Sequence, residues 1–250
     1  MNIQLIRSAT LKFYFDTCTI LIDPCFAPKF SIYSYAGISK NPLIELPFPV
    51  EKILGDIDAV IVSHLHSDHF DSVARQSIKK DTILLCQPDD EEKIREFGFT
   101  NVKPINGSEA LKGIEIGRFY GQHGYGDVLQ DMGIVSGFSF KAVNTPTICW
   151  LGDTVLTSAT VEFLKKELPD IVITHSSGAV WGKNRVKIVL DEAQTVQICE
   201  LLPDSTIIAT HMDSLDHGTV SRERLRAYAD KCSIRPDRLL IPKDGEVLAI

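Results

Sequence analysis

The sequence lacks long apolar runs and closely spaced cysteine pairs, and we predict no signal peptide. No stretch approaches the roughly 18 apolar residues of a membrane span, so we predict no contact with a membrane. The six cysteines show no C-x-x-C spacing, and several lie inside apolar runs such as Thr147–Trp150, which indicates free thiols in a reducing compartment. The segment Met1–Arg7 has neither the basic start nor the apolar region of a signal peptide, and we therefore predict a cytoplasmic protein.

Positive charge is also scarce. The chain has 26 Lys and Arg against 33 Asp and Glu, which gives a formal net charge of −7. No basic cluster is long enough to follow a phosphate backbone, so general nucleic-acid binding is disfavoured, although a nuclease with a local basic groove stays an alternative. The Gly-x-Ser-x-Gly motif is absent, and no protein nucleophile is indicated. The 250 residues are 44% hydrophobic, enough for a large core, and we predict a single domain over residues 1–250.

Histidine and aspartate, in contrast, are concentrated in one short segment. The positions His64, His66, Asp68 and His69 follow the apolar run Ala59–Val62 directly. Neutral imidazole and carboxylate are ligands of zinc, manganese and iron(II). Because side chains at i and i+2 of an extended segment point the same way, His64 and His66 are placed to bind one ion while Asp68 and His69 face another. We predict a metal site here; the alternative is a solvated turn rich in histidine.

Further polar side chains follow buried strands at the point where each strand ends. Asp153, His175 and His211 end three apolar runs, and His123 follows a fourth. Ligands in α/β sheets gather at the carboxyl ends of strands, so these residues are expected to converge in one cleft with His64. Taken singly, each has an ordinary explanation: the aspartate can be a turn former or a helix cap, and a histidine can be structural.

Short β-type runs alternate with helical patterns along the rest of the chain, which predicts a layered α/β fold. Strands are predicted for Asn2–Ile6, Leu11–Phe15, Thr19–Ile22, Ala59–Val62, Thr82–Cys86, Ile114–Tyr120, Ile134–Lys141, Thr147–Leu151, Ile171–Thr174 and Thr206–Thr210. Helices are predicted around Val161, Leu164 and Leu168, over Asp191–Leu202 and over Ser221–Lys231.

Two irregular segments are candidates for the substrate side of a site. The stretch Phe26–Pro49 combines five aromatic residues with four prolines, and we favour a lid or a dimer contact over disorder because exposed aromatics are costly. The second segment is a short basic run after His175, which contains Trp181, Lys183, Arg185 and Lys187. This run would select an anionic substrate if it overhangs the cleft; the alternative is a solvated surface.

The order of these motifs resembles that of the metallo-β-lactamase fold superfamily: H-x-H-x-D-H, a later histidine, a strand-end aspartate and a final histidine. The segment Leu21–Pro24 is similar to the early strand-end aspartate motif of that superfamily. The segments Asp191–Ala193 and Ala209–Met212 look most like the branch that contains L-ascorbate-6-phosphate lactonase and uncharacterised metal-dependent hydrolases. The segment Arg7–Ala9 departs from the Gly-His-Ala common in that branch, so the substrate of the lactonase is not transferred.

The resemblance implies a four-layer αββα sandwich that holds two divalent metal ions, zinc or manganese, with iron as an alternative. It implies one ion on His64, His66 and His123, a second ion on Asp68, His69 and His211, and Asp153 as the bridge between them. Asp23 would orient a histidine ligand by accepting its second N–H. Two such ions share a water and lower its pKa, which makes hydroxide available at neutral pH.

These observations predict a metal-dependent hydrolase of a small-molecule ester or lactone. The alternatives are a phosphodiesterase or nuclease on the same two metals, and a metal-binding regulatory module without turnover. We predict that Asp68 takes part in catalysis as a metal ligand. His175 and His217 are further catalytic candidates, since each could protonate a leaving group or hold a substrate oxygen; the alternative for both is a structural histidine. A small molecule is the predicted partner, and the oligomeric state is open, with a homo-oligomer as one option.

Overall fold

Sixteen strands and seven α-helices form the fold of residues 1–250, all of which the computed structural model describes. In chain order the strands are β1 (Asn2–Arg7), β2 (Thr10–Tyr14), β3 (Thr19–Ile22), β4 (Ala59–Val62), β5 (Ile83–Cys86), β6 (Val102–Pro104), β7 (Ser108–Leu111), β8 (Ile114–Tyr120), β9 (Ser136–Lys141), β10 (Ile148–Trp150), β11 (Ile171–His175), β12 (Val180–Trp181), β13 (Val186–Lys187), β14 (Thr206–Thr210), β15 (Leu239–Leu240) and β16 (Val247–Ala249). The helices are α1 (Val50–Leu54), α2 (Ser72–Ser77), α3 (Glu91–Glu96), α4 (Leu129–Met132), α5 (Ser158–Glu167), α6 (Glu192–Leu201) and α7 (Arg222–Lys231).

The strands form two seven-stranded sheets and one separate hairpin, β12–β13. The strand order is β16-β1-β2-β3-β4-β5-β6 in the first sheet and β15-β14-β11-β10-β9-β8-β7 in the second. Each sheet is antiparallel on one side and parallel on the other. The parallel strands are β3 to β6 in the first sheet and β10, β11, β14 and β15 in the second. Parallel strands present their carboxyl ends at a common edge, and the polar strand ends of this chain lie there.

The largest hydrophobic core contains 22 buried residues drawn from both sheets. Phe13 of β2 and Phe140 of β9 meet in it edge to face, with ring centroids 5.1 Å apart. Helices α1, α2 and α3 bury Ile53, Ala74 and Ile94 in a second core with first-sheet side chains. Helices α5, α6 and α7 make a third core with the second sheet. The layers are therefore helix, sheet, sheet and helix, and the predicted αββα sandwich is confirmed.

Strand predictions from buried apolar runs are confirmed with small shifts at the ends. Ala59–Val62 is β4, and all four of its side chains are buried, as expected for a strand covered on both faces. The predicted helices are confirmed as α5, α6 and α7. Asp191 and Ser221 cap α6 and α7, since each side chain accepts a hydrogen bond from the backbone N–H three residues later.

The short elements were not predicted. Helices α1 to α4 have four to six residues each, too few for a helical period to stand out. All six cysteines are free, as predicted, and five of them are buried. None of the helices combines the length and the apolar character needed to span a membrane.

Candidate metal centre

The strand-end residues from both sheets converge at one place. His64 lies two residues beyond β4, His123 follows β8, Asp153 follows β10, His175 ends β11 and His211 follows β14. All five side chains are buried. The sandwich therefore collects, at the carboxyl ends of its strands, polar groups that are far apart in the sequence.

His64, His66 and His123 form a first cluster, in which one ring nitrogen of each lies within 4.8 Å of the others. The Nδ1 of His64 is 2.9 Å from the hydroxyl of Ser63, and the Nδ1 of His123 is 2.8 Å from the carbonyl oxygen of Ile188. A histidine that donates its Nδ1–H to a carbonyl keeps the Nε2 lone pair free for a metal ion. Burial lowers the pKa of His64 well below its ordinary value and that of His123 to about 4, so both rings are in the neutral form that binds metal.

His69, Asp153, His175 and His211 form a second cluster with the same 4.8 Å spread of ligand atoms. Asp68 lies against it. The Oδ2 atom of Asp68 is 3.3 Å from the Nε2 of His211 and 3.5 Å from the Nε2 of His69. The second cluster thus contains two of the three residues that the resemblance implied for the second ion, His69 and His211, and the third, Asp68, lies beside them. It also contains His175, for which no ligand role was predicted.

Asp153 connects the two clusters. Its Oδ2 atom is 3.2 Å from the Nε2 of His69 and 3.2 Å from the Nε2 of His123, one nitrogen from each cluster. Its Oδ1 atom is 2.6 Å from the Nδ1 of His175. The turn before it needs glycine, because Gly152 has φ +64° and a Cβ there would lie 2.8 Å from a carbonyl oxygen of β9. This position fits the bridging role predicted for Asp153.

Asp23 contacts His69 of the second cluster directly and His64 of the first cluster through Ser63. Its fully buried carboxylate accepts hydrogen bonds from the backbone N–H and the hydroxyl of Ser63, both at 2.7 Å, and lies 2.7 Å from the Nδ1 of His69. Because Ser63 in turn contacts His64, one carboxylate fixes a ring in each cluster. This geometry fits the orienting role that the resemblance implied for Asp23.

The donor set fits divalent cations. The Nε2 atoms of His64, His69 and His211 are buried and have no hydrogen-bond partner in the protein. Burial opposes ionisation of Asp68 and Asp153, but the neighbouring histidines, His69 first, outweigh it and hold the pKa of both carboxyls below their usual range. Buried carboxylates beside imidazole nitrogens, with no thiolate, suit zinc, manganese or iron.

A cleft of about 250 Å³ opens onto both clusters. Four of the residues that line it belong to the predicted ligand set: His66, Asp68, His123 and Asp153. The other lining residues are mainly aromatic and aliphatic: Tyr33, Tyr35, Leu65, Ser67, Met132, Trp181, Ile188 and His217. No lysine or arginine lines the cleft, so its walls beyond the metal ligands carry no positive charge.

The two remaining catalytic candidates differ in position. His217 lines the cleft; its ring meets Tyr35 edge to face at 5.0 Å, and its buried Nδ1 has no hydrogen-bond partner. His175 is 0% exposed and does not line the cleft, since its ring lies between Asp153 and Trp150. A direct contact with substrate, predicted for His175 from the sequence, does not fit this position. His175 is placed instead to orient Asp153.

The irregular stretch 26–49 reaches the cleft through a segment that we call the aromatic loop, residues 33–41. Asp216, next to His217 in the chain, holds this loop. Its carboxylate accepts hydrogen bonds from the backbone N–H of Tyr35 at 3.0 Å and from the side chain of Asn41 at 2.9 Å. Further donors are the backbone N–H groups of Ala36, Ile38 and Ser39 and the hydroxyl of Ser34. These contacts favour the lid interpretation, and the dimer contact stays a prediction.

We expect Asp216→Asn to loosen the aromatic loop, because an amide oxygen is a weaker acceptor than a carboxylate. Loss of charge-assisted hydrogen bonds should raise KM about tenfold and speed trypsin cleavage after the exposed Lys40, with metal content unchanged. Asp213→Asn is the matched control, since Asp213 pairs with Arg222 outside the loop. Equal KM and equal cleavage at Lys40 in both variants would show that Asp216 does not hold the loop.

Comparison with known proteins agrees with this architecture. Residues 18–212 match the family model of the beta-lactamase superfamily domain. The chain belongs to the metallo-β-lactamase superfamily. It is 31% identical over 252 residues to the UPF0173 protein YddR of Bacillus subtilis (strain 168), covering 98% of each chain.

Two solved structures resemble the chain over its whole length. One is an isothiocyanate hydrolase from Delia radicum gut bacteria, with 33% identity, a TM-score of 0.94 and coverage of 100% of this chain and 99% of that one. The other is a possible metal-dependent hydrolase from Veillonella parvula DSM 2008, with 30% identity, a TM-score of 0.96 and the same coverage. The chain is a metal-dependent hydrolase of this superfamily, as predicted. The resemblance to the branch of L-ascorbate-6-phosphate lactonase stays a prediction.

Three contacts of the site were not predicted. Ser63 has a weak sequence signal, because it lies between the strand and His64. Asp216 also has one, since it precedes a candidate histidine. The carbonyl oxygen of Ile188 has none, because a backbone group leaves no mark on the sequence and the residue lies 65 positions from His123.

Proposed function

We propose that the chain hydrolyses a small substrate at an electrophilic carbon whose reacting group is uncharged: an isothiocyanate, an ester or a lactone. The composition of the cleft carries this proposal. Its volume of about 250 Å³ lies below the roughly 300–1,000 Å³ of drug-sized ligand pockets, and its walls beyond the ligands are mainly aromatic and aliphatic. A phosphodiester would bring a negative charge into walls that offer it no lysine or arginine.

The metal ligands, the cleft walls and His217 have separate roles in this reaction. When bound, the divalent ions supply hydroxide at neutral pH and a Lewis acid for the substrate heteroatom. His64, His66 and His123 would hold one ion, Asp68, His69 and His211 the other, with Asp153 between them. The aromatic and aliphatic walls bind the body of the substrate and exclude bulk water from the reacting carbon. His217, whose side chain lines the cleft, would donate a hydrogen bond to the substrate or its leaving group.

Isothiocyanates come first in this class because a relative that aligns over the full chain carries that activity in its name. In the reaction, the oxygen of one water bonds to the central carbon of R–N=C=S, the carbon–nitrogen bond breaks, and both protons go to nitrogen. The products are an amine and carbonyl sulfide. Ester and lactone hydrolysis, predicted from the sequence, likewise requires that the cleft bind an uncharged group with an electrophilic carbon.

A substrate panel tests this proposal. Metal-replete protein is assayed with benzyl isothiocyanate, phenyl acetate, γ-butyrolactone and bis(p-nitrophenyl) phosphate. Because isothiocyanates also modify thiols and amines, the readout is released benzylamine rather than loss of reagent, and Asp153→Ala protein serves as the background. We expect benzylamine release above that background and no turnover of the phosphodiester. Phosphodiester turnover that exceeds hydrolysis of every carbon substrate would overturn the proposal.

We expect His217→Ala to lower kcat/KM by about 100-fold, the lower range for loss of a general acid or base, with metal content unchanged. His217→Gln keeps a side-chain N–H donor and should recover part of the loss if hydrogen bonding to substrate is the role. Steady-state kinetics and metal analysis of both variants check this. Turnover equal to wild type in His217→Ala would make His217 a structural histidine.

A further inference from the structure

A second cavity adjoins the cleft. It has a volume of about 340 Å³, and two of its lining residues, Tyr35 and Trp181, also line the cleft. The ring centroids of these two residues are 6.5 Å apart. We call this space the outer cavity; its other lining residues are Ala36, Val180, Gly182, Lys183 and Arg185. An aromatic pair therefore stands between the metal centre and a second binding space.

The outer cavity differs from the cleft in charge. Lys183 and Arg185 line it together with no aspartate or glutamate, whereas the cleft has carboxylates and no lysine or arginine. Neither cation has a carboxylate within salt-bridge distance, while Lys187 of the same hairpin pairs with Asp191. The wall of this cavity is therefore positively charged, although the chain as a whole has a net charge of −7.

The hairpin β12–β13 fixes the backbone that bears these cations. Trp181 pairs with Val186 across the hairpin, and the backbone N–H of Arg185 donates to the carbonyl of Gly182 at 3.0 Å to close the turn. The indole N–H of Trp181 donates to Asp131 at 3.0 Å. Trp181 is thus held by a paired strand and by a side-chain hydrogen bond, next to the turn that bears Lys183 and Arg185.

We propose that the outer cavity is a subsite for an anionic group, a carboxylate above all, at the far end of the substrate. The reacting carbon lies in the cleft, and the spacer crosses the surface of the Tyr35–Trp181 pair, which lines both spaces. Lys183 supplies a point charge and Arg185 a planar fork that matches a carboxylate. This proposal rests on the proposed function for the position of the reacting carbon. It gives the basic run of the sequence a role in selecting the substrate tail.

Binding of benzoate and benzamide to the holoprotein tests the subsite without turnover. The two probes differ in charge and have nearly the same shape. Trp181 reports binding by its fluorescence, since the other tryptophan, Trp150, is 0% exposed in the core. Exposed charge pairs contribute little each, so we expect benzoate to bind about fivefold more tightly than benzamide, with the preference falling as salt is added.

Two double variants decide which cations matter. Lys183→Ala/Arg185→Ala should remove the preference for benzoate and leave benzamide binding unchanged. Lys165→Ala/Lys166→Ala removes the same charge from the exposed face of α5 and should keep the preference. A preference that survives in Lys183→Ala/Arg185→Ala would overturn the subsite, since it would mean that benzoate binds at the metals. Equal binding of both probes to wild type would also overturn it.

Turnover separates this proposal from the proposed function. We expect 4-isothiocyanatobenzoate to have a lower KM than phenyl isothiocyanate in wild type, and an equal KM in Lys183→Ala/Arg185→Ala. If neither compound is hydrolysed, nor phenyl acetate or γ-butyrolactone, while the benzoate preference depends on Lys183 and Arg185, the proposed function fails and the anion subsite stands. If both are hydrolysed with equal KM in wild type, the subsite fails and the function stands.

Discussion

Asp153→Ala is expected to lower kcat/KM by more than about 100-fold, the upper range for loss of a residue that only supports a metal ligand. Its Oδ2 atom lies 3.2 Å from one nitrogen of each cluster, so its loss affects both clusters at once. Bound metal should fall in the same variant. Steady-state kinetics and metal analysis by mass spectrometry measure both effects.

Two further variants make this result specific. Asp153→Asn keeps the shape of the side chain and isolates the effect of its charge, in case Asp153→Ala fails to fold. Asp204→Ala removes an exposed carboxylate before β14 and should leave both activity and metal content intact. An Asp153→Asn protein with wild-type activity and full metal content would remove Asp153 from the site.

Removal of metal should abolish hydrolysis and lower Tm by about 10 °C. Ions that bind only the folded state stabilise it by about 4 kcal/mol at a thousandfold excess over Kd, and each kcal/mol shifts Tm by about 2–4 °C for a chain of this size. We expect this loss of stability because the buried Nε2 atoms of His64, His69 and His211 have no partner in the protein when no cation binds them. Thermal unfolding before and after dialysis against EDTA measures the shift.

Re-addition of metal identifies the ion and controls for damage by the chelator. Zinc, manganese and iron(II) are returned one at a time, and the ion that restores both activity and Tm is assigned to the site. The Asp153→Ala protein should show a smaller Tm shift on treatment with EDTA. Full activity in wild-type protein shown to be free of metal would contradict metal dependence.

Local patterns in the sequence predicted much of the fold and the candidate ligands, for a physical reason. Strands buried on both faces, such as β4, read as continuous apolar runs, and a polar side chain directly after such a run stands out against it. The convergence of His123 and His211 with His64 was expected from their strand-end positions. The assignment of these ligands to two ions depended on the resemblance to a known fold, because spacing along the chain does not fix distances in space. The structure brings these residues together.

Contacts between segments distant in the sequence could not be predicted. The role of His175 depends on its Nδ1 facing Asp153, and the aromatic loop depends on one carboxylate, Asp216, that lies far along the chain. The residues of the basic run also have different surroundings, which the sequence did not predict. Lys187 pairs with Asp191, while Lys183 and Arg185 line the outer cavity.

Metal analysis of the purified wild-type chain tests the two-ion site most directly. We expect about two divalent ions per chain, because the ligand residues form two clusters with Asp153 between them, and about one or fewer in Asp68→Ala and His69→Ala. Fewer than about one ion per chain in active wild-type protein, with no loss in either variant, would contradict the binuclear centre.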